Sequence, residues 1–540
     1  MNNSIKYISF FVFLIFSNLV FFERVTEMIS LGKLKNLVLF LGIWFVCIIG
    51  MVVALQLKNF KIRLSFGTIF VINTILGMTY FSVGKHYLSY QDIELLWISR
   101  ANAGDAIGFY LPEVLVPFII SLFGLLAYII PANNKLQIKK SWISVLSIFP
   151  IFLLMGVTFV KKGYGTEGMP HQYSPLATFS LYHTYEQFLP GLIGERHPVS
   201  IRPKKEGSAQ NIIYIVDESI RADYLDINND KGITPYLLEQ SSRISNFGSM
   251  SSGNNCSGYS NIILRTGTSQ ETLGEIGEKP MIWEYAQKAG YNTHYFDAQQ
   301  TDGILQNFMT KNELKQIDNF HQLGSQNKLN ADHIFAQKIR KVLETPGKNF
   351  IYINKRGAHF PYIETYPESE EIYRPSMQLG DELGKDRNKL INSYKNSVTW
   401  TVDGFFKLLL GDRKFENDIV FYTSDHGQNL MDNGIMTHCN TQEPHAYEGY
   451  VPFFILTDNQ NYKVNYDFLA KKQFNKLTHF HIFGSVVSAM GYSVEDIKIH
   501  NELSLKGPII EDRAFTLGSL IPRFGEDVKW FGVSTLKLND

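Results

Sequence analysis

The 540-residue sequence predicts an N-terminal bundle of five transmembrane helices, followed by an α/β domain with a mostly parallel central sheet. Three observations predict it. Five apolar stretches crowd the first 160 residues. Strand-like and helix-like segments alternate from Asn211 onward. Several of those strands end in acids and histidines, which a sheet of parallel strands gathers at one edge.

The five stretches run roughly from Tyr7 to Phe22, Leu37 to Leu55, Leu64 to Val83, Val114 to Ile130 and Trp142 to Val160. Each is near the ~20 residues that cross a bilayer as helix, the first and fourth being short. The first has no small-residue cleavage site around Phe21-Phe22-Glu23-Arg24, so it reads as an uncleaved anchor. Lys58, Lys61 and Arg63 follow the second stretch, and Lys135, Lys139 and Lys140 follow the fourth. Positive loops stay in the cytoplasm, so the amino terminus is inside and the chain after about Val160 is outside. In a bacterium with two membranes this is a multi-pass inner-membrane protein with a periplasmic domain. The expected divisions are 1–160 (transmembrane), 161–206 (connector) and 207–540 (periplasmic).

Lys+Arg and Asp+Glu are both 51, so the chain is formally neutral. It lacks the overall basic balance of a nucleic-acid binder, and no nucleic-acid partner is expected. Of three cysteines, Cys47 lies in the second stretch. Cys256 and Cys439 permit at most one disulfide outside the membrane, and spacing alone does not decide whether they pair. About 340 exported residues are enough for an ordinary core without further crosslinks. The expected state is a monomer.

The connector begins with "KKGYGTEGMPHQYSP", rich in turn formers, and continues with the aromatic, amphipathic "LATFSLYHTYEQFLPGLIG". Such a segment lies on the membrane surface or packs as a helix against the soluble domain. Five strand candidates follow: "NIIYIVDES", "YNTHYFDAQ", "NFIYINKRGAH", "DIVFYTSDHG" and "VPFFILT". Helical segments such as 281–289 and 389–410 separate them. The first strand ends at Asp217-Glu218, the third leads to His359, and the fourth ends at Asp425-His426. Taken alone, Asp425 beside His426 is either a metal site or a polar turn, with Gly427 permitting the turn. Three loaded strand ends at one edge favour the metal, and Glu, Asp and His donors suit zinc.

With these residues in place, the chain resembles the membrane-anchored phosphoethanolamine transferases, the lipid A-modifying and colistin-resistance enzymes of the alkaline phosphatase/sulfatase superfamily. The family's Gly-Glu-Thr-x-Arg is matched by Asp217-Glu218-Ser219-Ile220-Arg221. Its Ser-Asp-His-Gly is Ser424 to Gly427, and its Glu-Asn-Gly-x-x-x-His is Asp432 to His438. Its Asn-His-Gly-Pro is echoed by Ala358-His359-Phe360-Pro361. The resemblance implies an alkaline phosphatase-like α/β domain. Placing Ser260 on the Ser of the family's Thr-x-x-Ser puts Ser257 on the nucleophile. Cys256 is its rival, although the sulfatase Cys-x-Pro-x-Arg signature is missing.

By the same resemblance, zinc is held by Glu218, Ser257, Asp425 and His426. His359 and His438 stand across the phosphoryl group, to hold a second zinc, to bind phosphate or to act as general acid and base. The implied reaction is zinc-dependent transfer of phosphoethanolamine from the phospholipid phosphatidylethanolamine. It passes through a phosphorylated Ser257 to an envelope acceptor such as lipid A or lipooligosaccharide, a change associated with polymyxin resistance. The sequence also departs from the family. Ile262 replaces the Pro expected after Ser260, and the Lys after the family's Asp-Asn-Gln-Ser is not evident in "DAQQTDG". Trp97, Ala101 and Asp105 stand where the family's donor loop has Asn, Thr and Glu. Phosphoglycerol transfer to an envelope glycan or lipid, or sulfatase-like hydrolysis, are therefore the alternatives.

Overall fold

In an apolar solvent a segment must satisfy its own peptide groups, and the apolar third of this chain does so as helices. The structure, a computed structural model, describes residues 2–98, 100, 110–131, 140–189, 191–204, 209–378, 381, 384–499 and 503–533. They form two units: Met1–Pro190 with Arg523–Glu526, and Gly191–Pro522 with Asp527–Asp540.

The first unit contains α1 (Asn2–Phe16), α2 (Val20–Ser30), α3 (Leu34–Leu55), α4 (Phe60–Gly84), α5 (Tyr90–Ile98), α6 (Leu111–Ile129), α7 (Lys140–Val160) and α8 (Ser174–Glu186). The sequence predicts five spans in this unit. Among the described residues, α3, α4 and α6 are long and apolar enough to cross a membrane. A bent pair makes up to one more, and the described apolar part of α7, Val145–Val160, is shorter. The first stretch is not one straight span, because α1 and α2 meet at a 55° bend. Its cause is polar: Ser17 Oγ turns back onto the Phe13 carbonyl, and Asn18 Nδ2 donates to the Leu14 carbonyl at 2.8 Å and to Gln172 Oε1 at 3.1 Å. Gln172 in turn donates to Ser17 (2.8 Å) and Thr74 (3.2 Å). The first part of the connector is thus buried among the helices of this unit, with Met169, His171, Gln172 and Tyr173 enclosed.

Two buried cations close helix ends. Lys6 Nζ donates to the carbonyls of Leu55 (2.8 Å) and Ile130 (3.1 Å). Arg63 donates to Tyr128, Leu57 and Ile129 at 2.7, 2.6 and 3.3 Å. These carbonyls lie at or just beyond the carboxyl ends of α3 and α6, where orphan acceptors and the helix dipole both favour positive charge.

The second unit is built on an eight-stranded sheet. In chain order its strands are β1 (Asn211–Asp217), β2 (Ile244–Ser251), β3 (Asn292–Thr301), β4 (Asn319–Leu323), β5 (Asn349–Asn354), β6 (Asp418–Ser424), β9 (Tyr450–Leu456) and β10 (Leu477–Thr478). Between them lies a small ribbon, β7 (Asn429–Leu430) and β8 (Met436–Thr437). The spatial order is β10-β2-β9-β6-β1-β5-β3-β4, with only β9 antiparallel to its neighbours. All five strands expected from sequence are present.

Strand β1 explains the central position. Every residue from Asn211 to Asp217 is buried, as a strand covered on both faces requires. Ile212, Tyr214 and Val216 enter one core with Trp283 and Phe483. Ile213 and Ile215 enter the opposite core with Phe335 and Phe406. Strands β1, β2, β5 and β6 all run the same way, so their carboxyl ends deliver the following loops to one edge.

Candidate active site

Four strand ends build the site. Glu218 follows β1, and Asp425-His426 follow β6. The loop after β2 carries Cys256 as N-cap of α9 (Ser257–Thr266), which puts Ser257 on its first turn. The loop after β5 leads to His359. Gly357 approaches so closely that a Cβ there would sit 2.4 Å from Asp217 Oδ1, and Ala358 N donates to the Glu218 carbonyl at 3.0 Å. Gly427 is required for a similar reason. Its N–H donates to the Glu448 carbonyl at 2.8 Å, and a Cβ would lie 2.1 Å from the Tyr447 oxygen. Close approach, not a left-handed turn, selects that glycine.

The donor atoms converge. Ser257 Oγ lies 3.1 Å from Glu218 Oε2 and 3.0 Å from His426 Nε2. His426 Nε2 lies 3.2 Å from Glu218 Oε1 and 3.6 Å from Asp425 Oδ2. Four donors on a tetrahedron with bonds of ~2.0–2.1 Å sit roughly 3.3–3.4 Å apart, so this spacing fits a zinc-sized ion. His426 Nδ1 lies 2.7 Å from the Gly427 carbonyl, which can only accept. Nδ1 therefore carries the proton, and Nε2 faces the carboxylates as the ligand atom. Glu218, His426 and His438 also bring one donor atom each within 4.8 Å of one another, a second way to engage an ion.

The electrostatics favour positive charge at this point. Burial pushes Asp425 well above the usual carboxylate range, and the neighbouring Glu218 charge adds to the push. Burial would also raise Glu218, but the charge and hydrogen bond of His426 hold it below that range, with smaller help from His359 and His438. Burial opposes a charged His426 ring, yet Asp425 and Glu218 raise it to about 9. Two buried acids thus draw positive charge onto the imidazole, which is the position a metal would fill.

His438 arrives on the ribbon of β7 and β8. Its Nδ1 donates to Gln428 Oε1 at 2.9 Å, and Gln428 Nε2 donates to Tyr362 Oη at 2.6 Å, so Nε2 is the ring atom left for the centre. The His438 and His426 rings lie 3.9 Å apart between centroids. Burial, then the His426 charge, depress the His438 pKa. His359 is half-buried, and its charge acts on both Glu218 and His438. The turn between β7 and β8 is tied back to β1 through Asp432, which pairs with Arg221 at 2.9 Å. That guanidinium also pairs with Asp223 and stacks 3.4 Å over the Tyr447 ring. Cys256 and Cys439 are joined by a disulfide, with Cα atoms 4.8 Å apart. Cys256 is therefore no rival nucleophile in this state. His445 caps a short turn through Tyr447 N. Ala101 and Asp105 of the donor-loop comparison lie outside the described residues.

Sequence reasoning missed three neighbours of the site. Gln299 donates to Glu218 Oε2 at 2.9 Å, and its own oxygen accepts from Asn307 at 2.8 Å. Asn261 bridges the Ser257 carbonyl (3.0 Å) and Asp425 Oδ2 (3.3 Å). Its position one turn after Ser257 was the available signal. His479 receives Gly253 N at 3.0 Å and lies 3.1 Å from Ser260 Oγ, with its pKa lowered to about 3 by burial.

A family model described as Sulfatase matches residues 210–492, more than half of the chain. The chain belongs to the sulfatase family. Among curated relatives, it is 26% identical over 241 residues to the Kdo(2)-lipid A phosphoethanolamine 7''-transferase of Salmonella typhimurium, a match covering 42% of this chain and 40% of that protein. The chain thus spans less than half the length of that relative. Its fold is similar to that of the integral membrane lipooligosaccharide phosphoethanolamine transferase A (EptA) from Neisseria meningitidis. The TM-score there is 0.64 at 20% identity, covering 93% of this chain and 98% of that one. The C-terminal periplasmic domain of EcEptC from Escherichia coli, solved in complex with Zn, matches with TM-score 0.52 at 18% identity over 64% of this chain and 98% of that one.

Proposed function

We propose that the protein transfers phosphoethanolamine from phosphatidylethanolamine to an envelope acceptor such as lipid A or lipooligosaccharide, with Ser257 as nucleophile. It works from the inner membrane with its α/β unit in the periplasm. The observation that carries this reading is a serine hydroxyl on the first turn of a helix, 3.0 Å from His426 and 3.1 Å from Glu218. The similarity to lipid A and lipooligosaccharide phosphoethanolamine transferases supports the substrate class.

Glu218, Asp425 and His426, with Ser257, would hold a zinc ion, which when bound supplies positive charge to ionise the serine and to offset the phosphoryl oxygens. Ser257 Oγ forms a bond to phosphorus as the bond from phosphorus to the diacylglycerol oxygen breaks. That oxygen leaves as diacylglycerol after taking a proton. An acceptor hydroxyl or phosphate then forms the new bond to phosphorus, and Ser257 Oγ is released. Ser257 stands on the first turn of α9, the helix end whose partial positive charge favours an anion. Gln428 fixes which nitrogen of His438 faces the centre, so His438 Nε2 can hand over or accept a proton at the leaving and entering oxygens.

Intact mass after incubation with phosphatidylethanolamine tests this. Wild type should gain a phosphoethanolamine adduct, and Ser257→Ala should gain none. A phosphoglycerol adduct with phosphatidylglycerol instead would move the donor. No adduct with any phospholipid in zinc-loaded protein would overturn the transferase reading.

A further inference from the structure

The ribbon that carries His438 is anchored at both ends, and the second anchor is covalent. Its turn is held by the Asp432–Arg221 pair. Beyond β8, Cys439 follows His438 directly and is bonded to Cys256, which precedes Ser257 and caps α9. A crosslink between residues 183 apart in sequence therefore joins the neighbours of the nucleophile and the imidazole. The surroundings are built for this junction. Cys439 N donates to the Asn255 carbonyl at 3.0 Å, and Asn255 Nδ2 donates to the Asn440 carbonyl at 3.0 Å. The buried Glu448 accepts from Asn255 Nδ2 at 2.7 Å and from Asn440 N at 3.3 Å, while its carbonyl receives Gly427 N. The loops of Ser257, His426 and His438 thus meet on Glu448, and one disulfide joins the first to the last. Cys439 sits at φ +63°, a left-handed conformation uncommon for a side chain of this kind.

We propose that Cys256 and Cys439 are positioning residues for phosphoryl transfer: their disulfide sets the place of the His438 ring relative to Ser257, with Asn255 and Glu448 as its hydrogen-bonded frame. This rests on the reading of Ser257 as nucleophile. Breaking the bond frees the carboxyl end of the ribbon, and His438 leaves the position it holds against His426. The ligands Glu218, Asp425 and His426 stay on their own strand ends.

The test uses the full chain in phosphatidylethanolamine nanodiscs. It compares wild type, Cys256→Ser/Cys439→Ser, His438→Ala and the triple variant, all checked for fold by circular dichroism and for zinc content. The serine pair should keep its zinc and its KM for donor, and its adduct should form about 10- to 100-fold more slowly, the scale of a small misplacement of a reacting group. The triple variant should be no slower than His438→Ala alone, because both changes remove the same contribution. If the serine pair does not fold, wild type reduced with a phosphine and then reoxidised replaces it, and activity should fall and return. Hydrogen exchange across Met436–Asn440 should rise on reduction whether or not an adduct forms. A wild type that forms no adduct but shows this change defeats the proposed function, and with it the role in transfer, while the hold of the disulfide on the His438 ribbon stands. An unchanged rate without the disulfide, a triple variant whose losses multiply, or unchanged exchange on reduction overturns the positioning role.

Discussion

Two sets of buried charge, one in each unit, are met by different means. In the helical unit two buried cations, Lys6 and Arg63, rest on peptide carbonyls at helix ends. In the α/β unit the site buries two acids, Glu218 and Asp425, against an imidazole whose pKa they raise to about 9. A helix end offers a fixed supply of carbonyl acceptors, so cations there need no mobile partner. A strand end offers no such supply of positive charge. Its acids need a proton, a lysine or a metal. The difference teaches that Lys6 and Arg63 are completed by the chain's own carbonyls, whereas Glu218 and Asp425, sharing one imidazole, are placed to take an ion from outside.

The neighbouring acids of β1 sharpen this. Asp217 and Glu218 point to opposite sides. Asp217 pairs with the buried Lys355 and receives Tyr422 Oη at 2.9 Å, while Glu218 faces Ser257. The largest expected effect is therefore at the internal pair. Lys355→Met should cost about 3–5 kcal/mol in denaturant unfolding, because it strands a buried carboxylate. Adding Asp217→Asn should recover much of that loss, and a double variant as unstable as the single would break the argument. Next, removing zinc with a chelator should lower α/β-unit stability by about 2.7 kcal/mol relative to free zinc at a hundredfold excess over Kd. The helical unit should melt unchanged, and a shift in both units would show that the contrast is misplaced.

A smaller loss is expected from Arg63→Met, roughly 1–3 kcal/mol, as carbonyls lose a charged donor. It should appear in the thermal melt of the helical unit and be indifferent to zinc. The smallest effect is a pH slope. Burial raises Asp297 to about 6, above its unfolded value, so its protonated form favours the fold. That contribution is complete below about pH 4 and is lost as pH climbs through about 6, at no more than about 1.4 kcal/mol per pH unit. Asp297→Asn should flatten this part of the stability curve, and an unaltered slope would remove Asp297 as its source.

Much of the site was legible because strand ends are local. The run from Ile419 to Tyr422 predicts β6, and Asp425-His426 then fall at its carboxyl edge without knowledge of any partner. Ser257 and His438 were legible only through a family pattern, since nothing local marks a nucleophile after β2 or an imidazole on a two-residue ribbon. Gln299 was not legible, because its contact with Glu218 depends on the crossover that sets β5 between β1 and β3. The bend at Ser17–Asn18 was hidden for a related reason. Hydropathy averages over a polar pair whose partner, Gln172, belongs to a segment that reads as a turn-rich connector.

That bend also has a consequence for the order of events during synthesis. Asn18 emerges early, yet its partner Gln172 lies 154 residues downstream. At ribosomal speeds of about 5–20 residues per second, the wait is roughly 8–30 s. Through that interval the leading helices are already made but their polar corner is uncapped. The bundle is therefore provisional until α7 and the segment behind it have been made, and a chain truncated before residue 172 would carry helices without the keystone that locks them.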